Sequence, residues 1–341
     1  MLPGGVDSFT GIHPFLLVLA AAGLDRWIGD PRWCLHPVVV MGWWITQLRR
    51  LAERCGGDSP LGLRLAGGGI TLLLVLGSGG FGWWLEQRSR EWPWPIGAAL
   101  LLVALASALA GRSLEQAVQA VLEALKNTSE LDPARQALSW IVGRDTRALN
   151  RQEILRAAAE TASENAVDGL FAPLFWMLIG AAIWPYGGPG PLALAWGFKA
   201  ASTLDSMLGY RRGTLRWLGT AGAKLDDLLV WLPCRLVTIS LPLVQVRTAR
   251  RVLVLARRAL LEGKPDPSPN AGVSQAIYAQ CLGMQLGGVN RYADKTTNKP
   301  LLAAGSRLPE PEDVERLLAL SRRLEGLWLL LALLVGAAVH R

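Results

Sequence analysis

The sequence predicts an all-α, polytopic integral membrane protein. Of its 341 residues, 51% are apolar and only 18% are charged, and the mean hydropathy is positive, which is too apolar for a soluble domain of this size. Apolar runs recur along the chain, and a membrane helix needs about 20 mostly apolar residues. Polar, helix-forming segments separate them. We therefore expect one membrane-embedded domain, 1–341, with cytoplasmic helical insertions at about 111–167 and 246–323.

Six apolar runs are predicted to cross the membrane. The run at 63–85 is the clearest, and its glycines indicate close helix packing. The turn GGPGP joins two later runs into a pair of crossings. The six runs are 12–24, 63–85, 95–110, 169–186, 191–204 and 324–339.

Lys and Arg predict the orientation, because cytoplasmic loops carry an excess of positive charge. Basic residues concentrate in the segments 25–62, 111–167, 206–227 and 246–326. The run 228–246 has a basic segment on each side, and it contains Pro233, Arg235 and Pro242. A single crossing there would put one basic segment outside, so we predict that this run is re-entrant or interfacial. The protein is expected to be multi-pass in the cytoplasmic (inner) membrane, with its polar segments facing the cytoplasm.

The net charge of +8 could indicate a nucleic-acid partner. The aromatic residues, mostly Trp, lie in apolar runs and not among basic clusters, which is unlike a nucleic-acid surface. We therefore expect the lipid bilayer as a partner and no nucleic acid.

The segment 151–168 carries an unusual acidic face. Arg156, Glu160, Glu164 and Asp168 follow one another at intervals of four, so they share one side of a helix. Like charges at this spacing destabilise an isolated helix by about 0.2–0.5 kcal/mol per pair. A metal ion, a basic segment or water should therefore face these acids. A solvated face neutralised by Arg156 and neighbours is the more frequent arrangement for any acidic run.

Four polar groups are candidates for chemistry. Carboxylates alternate in them with Lys and Arg, which is what chemistry on a magnesium nucleotide requires. The short nucleotide-binding and hydrolase motifs are absent. A transporter with charges near membrane depth fits about as well. The candidates are Asp30 and His36; Arg144, Glu160, Glu164, Asn165 and Asp168; Lys199, Asp205, Arg211, Lys224, Asp226, Asp227 and Arg235; and Ser268 and Asn270 at a predicted helix start.

Each candidate also has a structural explanation. A lone His36 is more often a hydrogen-bonded structural histidine, and Ser268 and Asn270 suit ordinary capping of a helix to about 286 as well as they suit anion binding. An intramolecular ion pair is about as frequent as a catalytic role for any single charged residue.

Several blocks resemble one family in the same order along the chain. They are DRWIGDPRWCLHPV, VGRDT, ETASENAVDGLFAPLF, KAASTLDSMLGY, AKLDDLLVWLPCRL, and SPNAG followed by LGG. The sequence closely resembles the CobD/CbiB family of cobalamin biosynthesis, the adenosylcobinamide-phosphate (cobinamide) synthases, from Asp25 to about Pro300. It departs from the pattern at Gln275, where an acid is expected, and at Tyr292, Ala293, Asp294, where Tyr-x-Gly is expected.

The resemblance implies a membrane-bound ligase. Its substrates would be adenosylcobyric acid and aminopropanol or its O-phosphate, joined as an amide at the f side-chain carboxylate with ATP and Mg²⁺. Other late cobalamin-biosynthesis enzymes are implied partners. The alternatives are a transporter of a corrinoid or an ion, and a non-catalytic scaffold for those enzymes.

On this resemblance we assign hypothetical roles to the site residues. Glu160, Glu164, Asp226 and Asp227 are the predicted Mg²⁺ ligands, and these acids together with Asp168 divide metal binding and deprotonation of the amine. The predicted phosphate contacts are Lys199, Arg211, Lys224 and Arg235, and Arg144 is predicted to bind the substrate carboxylate or phosphate.

Overall fold

A computed structural model describes residues 13–30, 36–56, 59–126, 130–246, 248–291 and 296–339. The described chain is almost entirely helical, as predicted. Its first eight α-helices are α1 Pro14–Ile28, α2 Pro37–Gly56, α3 Pro60–Ser89, α4 Trp94–Ala106, α5 Gly111–Lys126, α6 Asp132–Ser139, α7 Arg151–Ala166 and α8 Ala172–Ile183. The remaining elements are α9 Pro191–Leu208, α10 Leu215–Leu218, α11 Thr220–Ser240, α12 Ala249–Gly263, α13 Ala271–Leu282, β1 Leu286–Arg291, β2 Thr296–Leu302 and α14 Pro311–Val339.

The ends of the long helices follow from local chemistry. At the start of α3 the Ser59 hydroxyl accepts the Gly62 N–H at 3.3 Å, and Pro60 occupies the first turn, where its missing N–H costs nothing. At the start of α7, Asn150 and Glu153 form a reciprocal capping box. The capping box therefore determines where α7, the helix that carries the acidic face, begins.

The chain divides into two compact units. The first comprises 1–110, 173–226 and 329–341, and the second comprises 111–172 and 227–328. Both predicted polar insertions, 111–167 and 246–323, fall within the second unit. The sequence prediction of one membrane-embedded domain is not tested by this division.

In the first unit α3 packs closely on α9. A Cβ at Gly82 would lie 3.0 Å from the Leu192 carbonyl oxygen, so a larger residue would push the two helices apart by a few tenths of an ångström. Glu86, buried on α3, accepts the backbone N–H groups of Gly190, Leu192 and Ala193 at 2.7–3.2 Å. These contacts satisfy N–H groups that the start of α9 would otherwise leave without an acceptor.

Within the described residues, three helical stretches are long and apolar enough to cross a membrane, or four if one bent pair of helices is counted as a single span. They are Pro60–Ser89, Arg151–Tyr186 and Thr220–Val244. This confirms the predicted class of an all-α polytopic membrane protein. The predicted crossings at 12–24 and 95–110 lie mostly within α1 and α4, which have 15 and 13 residues and are shorter than the roughly 20 that a full crossing needs.

Two boundaries differ from expectation. The acidic helix does not end where the next apolar run begins, because a π-helical turn at Val167–Phe171 connects α7 directly to α8. Pro233 does not break its segment either, since α11 continues through it. The carbonyl groups freed by a proline inside a membrane helix are tolerated where neighbours compensate. That the run 228–246 is re-entrant or interfacial, and does not cross the membrane, stays a prediction.

The prediction of one helix from 270 to about 286 is wrong. Helix α13 ends at Leu282, and Gly283 follows in the left-handed conformation that commonly terminates helices. The chain then enters an antiparallel pair of strands, the β1–β2 ribbon. Gly287 and Gly288, just past the predicted end of the helix, lie in β1. This ribbon contributes directly to the candidate site.

Candidate functional site

Glu160 is the centre of the candidate site in the second unit. Its side chain is 1% exposed, and it forms an ion pair with Arg144. The Nη1 atom of Arg156 lies 3.2 Å from its Oε1 atom, and the backbone N–H of Gly287 donates to the same oxygen at 2.9 Å. A buried carboxylate requires partners of this kind. The protein's own cations therefore face the acidic side of α7.

Arg156 joins α7 to the β1–β2 ribbon. Beyond Glu160, its guanidinium donates to the carbonyl oxygen of Gly287 at 2.5 Å and to that of Val289 at 2.8 Å. Both carbonyls belong to β1. The fixed fork of an arginine allows these simultaneous bonds, which a lysine would not reproduce.

Lys299, on β2, is the third cation at the acidic face. Its Nζ atom lies 3.1 Å from Oδ2 of the buried Asp266. Burial lowers the pKa of Lys299, but the negative charges of Glu164 and Asp266 outweigh it, so the pKa is raised above its ordinary value. Glu164 in turn accepts a hydrogen bond from Gln275 Nε2 at 2.8 Å. Gln275, where this sequence departs from the family pattern, therefore contacts a predicted site acid.

A second polar cluster forms around Asp227 and the loop before α13. The Ser268 hydroxyl lies 3.4 Å from Asp227 Oδ1, and the Asn270 amide donates to the Asp227 carbonyl at 2.8 Å. Arg235 donates to Asn270 Oδ1 at 2.5 Å and to the Pro269 carbonyl at 2.8 Å. The backbone N–H of Ser268 also donates to Asp266, at 3.0 Å. Asp266 therefore links this cluster to Lys299.

The start of α13 is capped from within the chain. The Ser268 hydroxyl oxygen accepts the N–H groups of Asn270 at 3.3 Å and Ala271 at 3.2 Å. Ser268 therefore caps the start of α13, whereas the Asn270 side chain bonds to Asp227 and Arg235. The predicted role of the two residues toward an anion stays a prediction.

Other predicted residues near the acidic face have local partners. Asn165 donates through its amide to the hydroxyl and the carbonyl of Thr161, both on α7. Asp168 is half-buried in the π-helical turn, a distortion that often marks functional positions. Asp145 lies before α7 and pairs with Arg147, whose hydrogen bonds hold the pKa of Asp145 at about 2.

The remaining predicted residues belong to the first unit. His36 Nε2 lies 3.2 Å from Asp30 Oδ1, so these two meet as predicted, although the block between them is outside the described residues. Lys199 and Asp205 are half-buried on α9, while Arg211 and Lys224 are exposed. Asp226 is the last residue of the first unit, and Asp227 begins the second. Because consecutive residues project about 100° apart on a helix, the two carboxylates leave α11 in different directions.

The predicted metal ligands are not gathered into one group. Among the described residues, no three His, Cys, Asp or Glu side chains are placed to hold a metal ion. Glu160 uses its oxygens for Arg144, Arg156 and the Gly287 N–H. Its geometry is that of a structural ion pair more than of a metal ligand.

Sequence reasoning missed Asp266, Gln275, Asn290 and Lys299 as site residues. Asn290 Oδ1 accepts from Arg144 Nη1 at 2.8 Å across 146 residues of chain. The buried Asp266 could have been suspected from PDPSPNAG, where it lies four residues before Asn270. Lys299 carried no local signal, because its role depends on the β1–β2 ribbon.

The CobD/CbiB protein family model matches residues 18–321. The chain belongs to the CobD/CbiB family. It is 39% identical over 335 residues to a cobalamin biosynthesis protein CobD of Synechocystis, covering 96% of this chain and 95% of that protein. The CobD protein of Halalkalibacterium halodurans is 35% identical, with 95% and 97% covered. The cobalamin biosynthesis protein CbiB of Salmonella typhimurium is 38% identical, with 92% and 94% covered.

This CobD/CbiB family member is similar to those relatives over almost its full length, so the sequence similarity covers both units. The matched range includes α7, the β1–β2 ribbon and the loop before α13. No solved structure matches the chain. The family of cobalamin biosynthesis proteins therefore provides its classification.

Proposed function

We propose that this CobD/CbiB protein is an amide-forming ligase of cobalamin biosynthesis. It would convert adenosylcobyric acid to adenosylcobinamide or its phosphate by attaching aminopropanol or aminopropanol O-phosphate to the f side-chain carboxylate, with ATP and Mg²⁺. The observation that supports it best is the polar network of the second unit. There, Arg144 and Arg156 pair with Glu160, and Lys299 pairs with Asp266. Ser268 contacts both Asp266 and Asp227, so the acids come from separate segments of the chain.

The chemistry explains why such a network is useful. A carboxylate is a poor electrophile, so its oxygen must first displace ADP from the γ-phosphorus of ATP, giving an acyl phosphate. The amine nitrogen then attacks the acyl carbon, loses a proton, and expels inorganic phosphate. Cations stabilise the phosphate charge as it develops, and a carboxylate accepts the proton.

We assign these roles to residues of the second unit. Arg144 and Lys299 would contact substrate oxygens, because they present positive charge next to the acids of α7. Glu164 would accept the proton of the amine, oriented by the hydrogen bond from Gln275. Arg156 would position Arg144 indirectly, through their shared partner Glu160. The phosphate contacts predicted for Lys199, Arg211, Lys224 and Arg235 stay predictions.

Mg²⁺ commonly binds to one or two protein carboxylates and completes its shell with water and substrate phosphates. Asp227, with the Ser268 hydroxyl 3.4 Å from its Oδ1, offers oxygen atoms of the kind this ion prefers. When bound, the ion would neutralise phosphate charge. Glu160 is less suited to bind Mg²⁺, because its oxygens already accept from three donors.

The decisive experiment is an assay of the purified protein with adenosylcobyric acid, ATP, Mg²⁺ and either amine. Mass spectrometry should detect adenosylcobinamide or its phosphate, and it should show which amine is consumed. The variants Glu164→Gln and Asp227→Asn should lose product formation while the protein stays folded in detergent. Glu123→Gln, an exposed acid on α5, is the control.

Three results would contradict the proposal. Full activity in both variants would remove Glu164 and Asp227 from the chemistry. Absence of product from the wild-type protein, together with movement of a labelled corrinoid or ion into liposomes, would favour the transporter. Binding to the other late cobalamin enzymes without turnover alone would favour the scaffold.

A further inference from the structure

The β1–β2 ribbon presents a polar face, and only part of this face has a role in the proposed function. Gly288 pairs with Lys299, and Asn290 pairs with Thr297. Paired residues of antiparallel strands place their side chains on the same face, as do residues two apart on one strand. Asn290, Thr297 and Lys299 therefore share one face. Val289 and Asn298 lie on the other face and are exposed.

The shared face is directed at the acids of α7. Asn290 contacts Arg144, and Lys299 is influenced by the charges of Glu164 and Glu160. Gly288 lies opposite Lys299, and a Cβ there would be 3.7 Å from Arg156 Nη1. The ribbon thus adds a lysine and an amide to the arginines that already surround Glu160.

Asn290 has one amide atom with an unmet requirement. Its side chain is 1% exposed, and its Oδ1 accepts from Arg144, which fixes the orientation of the amide because an arginine only donates. The Nδ2 group must therefore be the donor. Within the described residues it finds no acceptor. A buried donor without an acceptor is unfavourable and rare in folded proteins, so such a group calls for an explanation.

The charges around Asn290 define the chemistry of the missing acceptor. Arg144 is 10% exposed and Lys299 18% exposed, so both retain some access to a ligand. An acceptor beside an amide N–H₂, a guanidinium and an ammonium group should be an oxygen that carries negative charge. Carboxylates and phosphates meet this description.

We infer that Asn290 Nδ2, together with Arg144 and Lys299, binds an oxyanion of a substrate. The inference rests on the proposed ligase function and adds to it a specificity-determining residue, Asn290, and a face of the β1–β2 ribbon. The oxyanion is either the carboxylate of adenosylcobyric acid or a phosphate of ATP or of aminopropanol phosphate. The two sources share the same chemistry and are separated by the experiment.

The test uses Asn290→Asp in the full-length protein. This substitution keeps an oxygen for Arg144 and replaces the N–H₂ donor by a second acceptor of the same size. The KM should rise at least about tenfold for one substrate, since a lost hydrogen bond to a charged group has an effect of this order. An increase for adenosylcobyric acid identifies the carboxylate, and an increase for ATP or aminopropanol phosphate identifies a phosphate.

Asn298→Asp is the matched control, because it makes the same chemical change on the opposite, exposed face of the ribbon. Its KM values should equal those of the wild type. If Asn290→Asp does not fold, Lys299→Gln decides the matter, and it should raise the KM for one of these oxyanionic substrates. Unchanged KM values for all three substrates in the variant that folds would overturn the inference.

Binding measurements separate this inference from the proposed function. Isothermal titration of adenosylcobyric acid, ATP and aminopropanol phosphate, each alone, reports binding without turnover. If the wild type forms no amide but Asn290→Asp weakens one of these ligands, the ligase proposal fails and the oxyanion site stands. If amide forms normally and no ligand is weakened, the ligase proposal stands and the oxyanion site is wrong.

Discussion

Arg156 shows how one residue connects sequence pattern to tertiary structure. In the sequence it is the only cation on the acidic face of α7. In the structure its guanidinium contacts Glu160 on its own helix and two carbonyl groups of β1. It therefore neutralises an acid and also fixes the β1–β2 ribbon against α7.

Arg156→Lys should destabilise the second unit although it keeps the charge. An ammonium group cannot bond the two β1 carbonyls and Glu160 with the same geometry, and loss of such charge-assisted bonds costs about 1–3 kcal/mol. Thermal unfolding in detergent measures the effect. Arg147→Lys, at an exposed position, is the control, and equal unfolding temperatures for the two variants would show that Arg156 acts only through its charge.

The charge of Lys299 should make the stability of the folded protein depend on pH in the alkaline range. Its pKa is raised in the folded protein, so its contribution to stability is fully present below the ordinary lysine value of about 10.4 and is lost as pH rises through the folded value. Lys299→Met should therefore unfold at a lower temperature than the wild type at neutral pH.

The difference in unfolding temperature between Lys299→Met and the wild type should shrink as pH rises through this alkaline range. Lys264→Met, at an exposed lysine before the Asp266 loop, should show no such behaviour. A difference that stays constant with pH would mean that Lys299 stabilises the fold by packing and not by its charge.

At the scale of elements, the β1–β2 ribbon depends on the LGG motif. Gly287 has φ +84°, and a Cβ there would lie 1.9 Å from the Pro300 carbonyl oxygen on β2. Its N–H and carbonyl also bond to Glu160 and Arg156. The glycine is therefore required by both its backbone conformation and the close approach of the paired strand.

Gly287→Ala should displace the ribbon and reduce amide formation strongly, by about tenfold or more, because small misplacements of positioning groups have effects of this size. Helix content, measured by circular dichroism, should be unchanged, because the helices do not depend on this residue. Gly305→Ala is the control, since it carries a similar φ of +81° with no atom within 4 Å of the added Cβ. Equal activity in the two variants would exclude a role for the ribbon.

At the scale of the whole molecule, hydropathy predicts the class of protein, whereas the distribution of charge predicts its orientation in the membrane. In the part of the chain that the structure describes, three helical stretches, or four if one bent pair is counted as a single span, are long and apolar enough to cross a membrane, which agrees with the predicted class of protein. The orientation depends on the distribution of Lys and Arg, and it predicts that the segment 246–323 faces the cytoplasm. The network around Glu160, Lys299 and Asp227 would then have access to soluble ATP.

A cysteine at the exposed position 264 tests this orientation. Lys264→Cys should react with a membrane-impermeant maleimide only after the cells are opened. The parent protein is the control, and its Cys234 and Cys281 are buried. Burial also raises the pKa of Cys281 to about 12, which keeps its thiol unreactive. Labelling of Lys264→Cys in intact cells would place this segment outside and contradict the predicted topology.

The sequence by itself determined the fold class, the family and the acidic face of α7. These properties depend on composition, on helical periodicity and on blocks of consecutive residues, all of which are local along the chain. It also predicted Arg144, Glu160, Glu164 and Asp227 as site residues, and their roles stay predictions.

Arg156 was foreseeable as a partner of Glu160, because both lie on α7, but only the tertiary structure decided which distant groups face those acids. The Gly287 N–H and Lys299 lie at Glu160 and Glu164 because the β1–β2 ribbon packs against α7, more than 100 residues away along the chain. The same packing pairs Asn290 with Arg144 and turned a predicted helix end at Gly287 into a strand. Pairing between distant segments depends on contacts that local periodicity does not encode, so the sequence of α7 alone could not have supplied its partners on the ribbon.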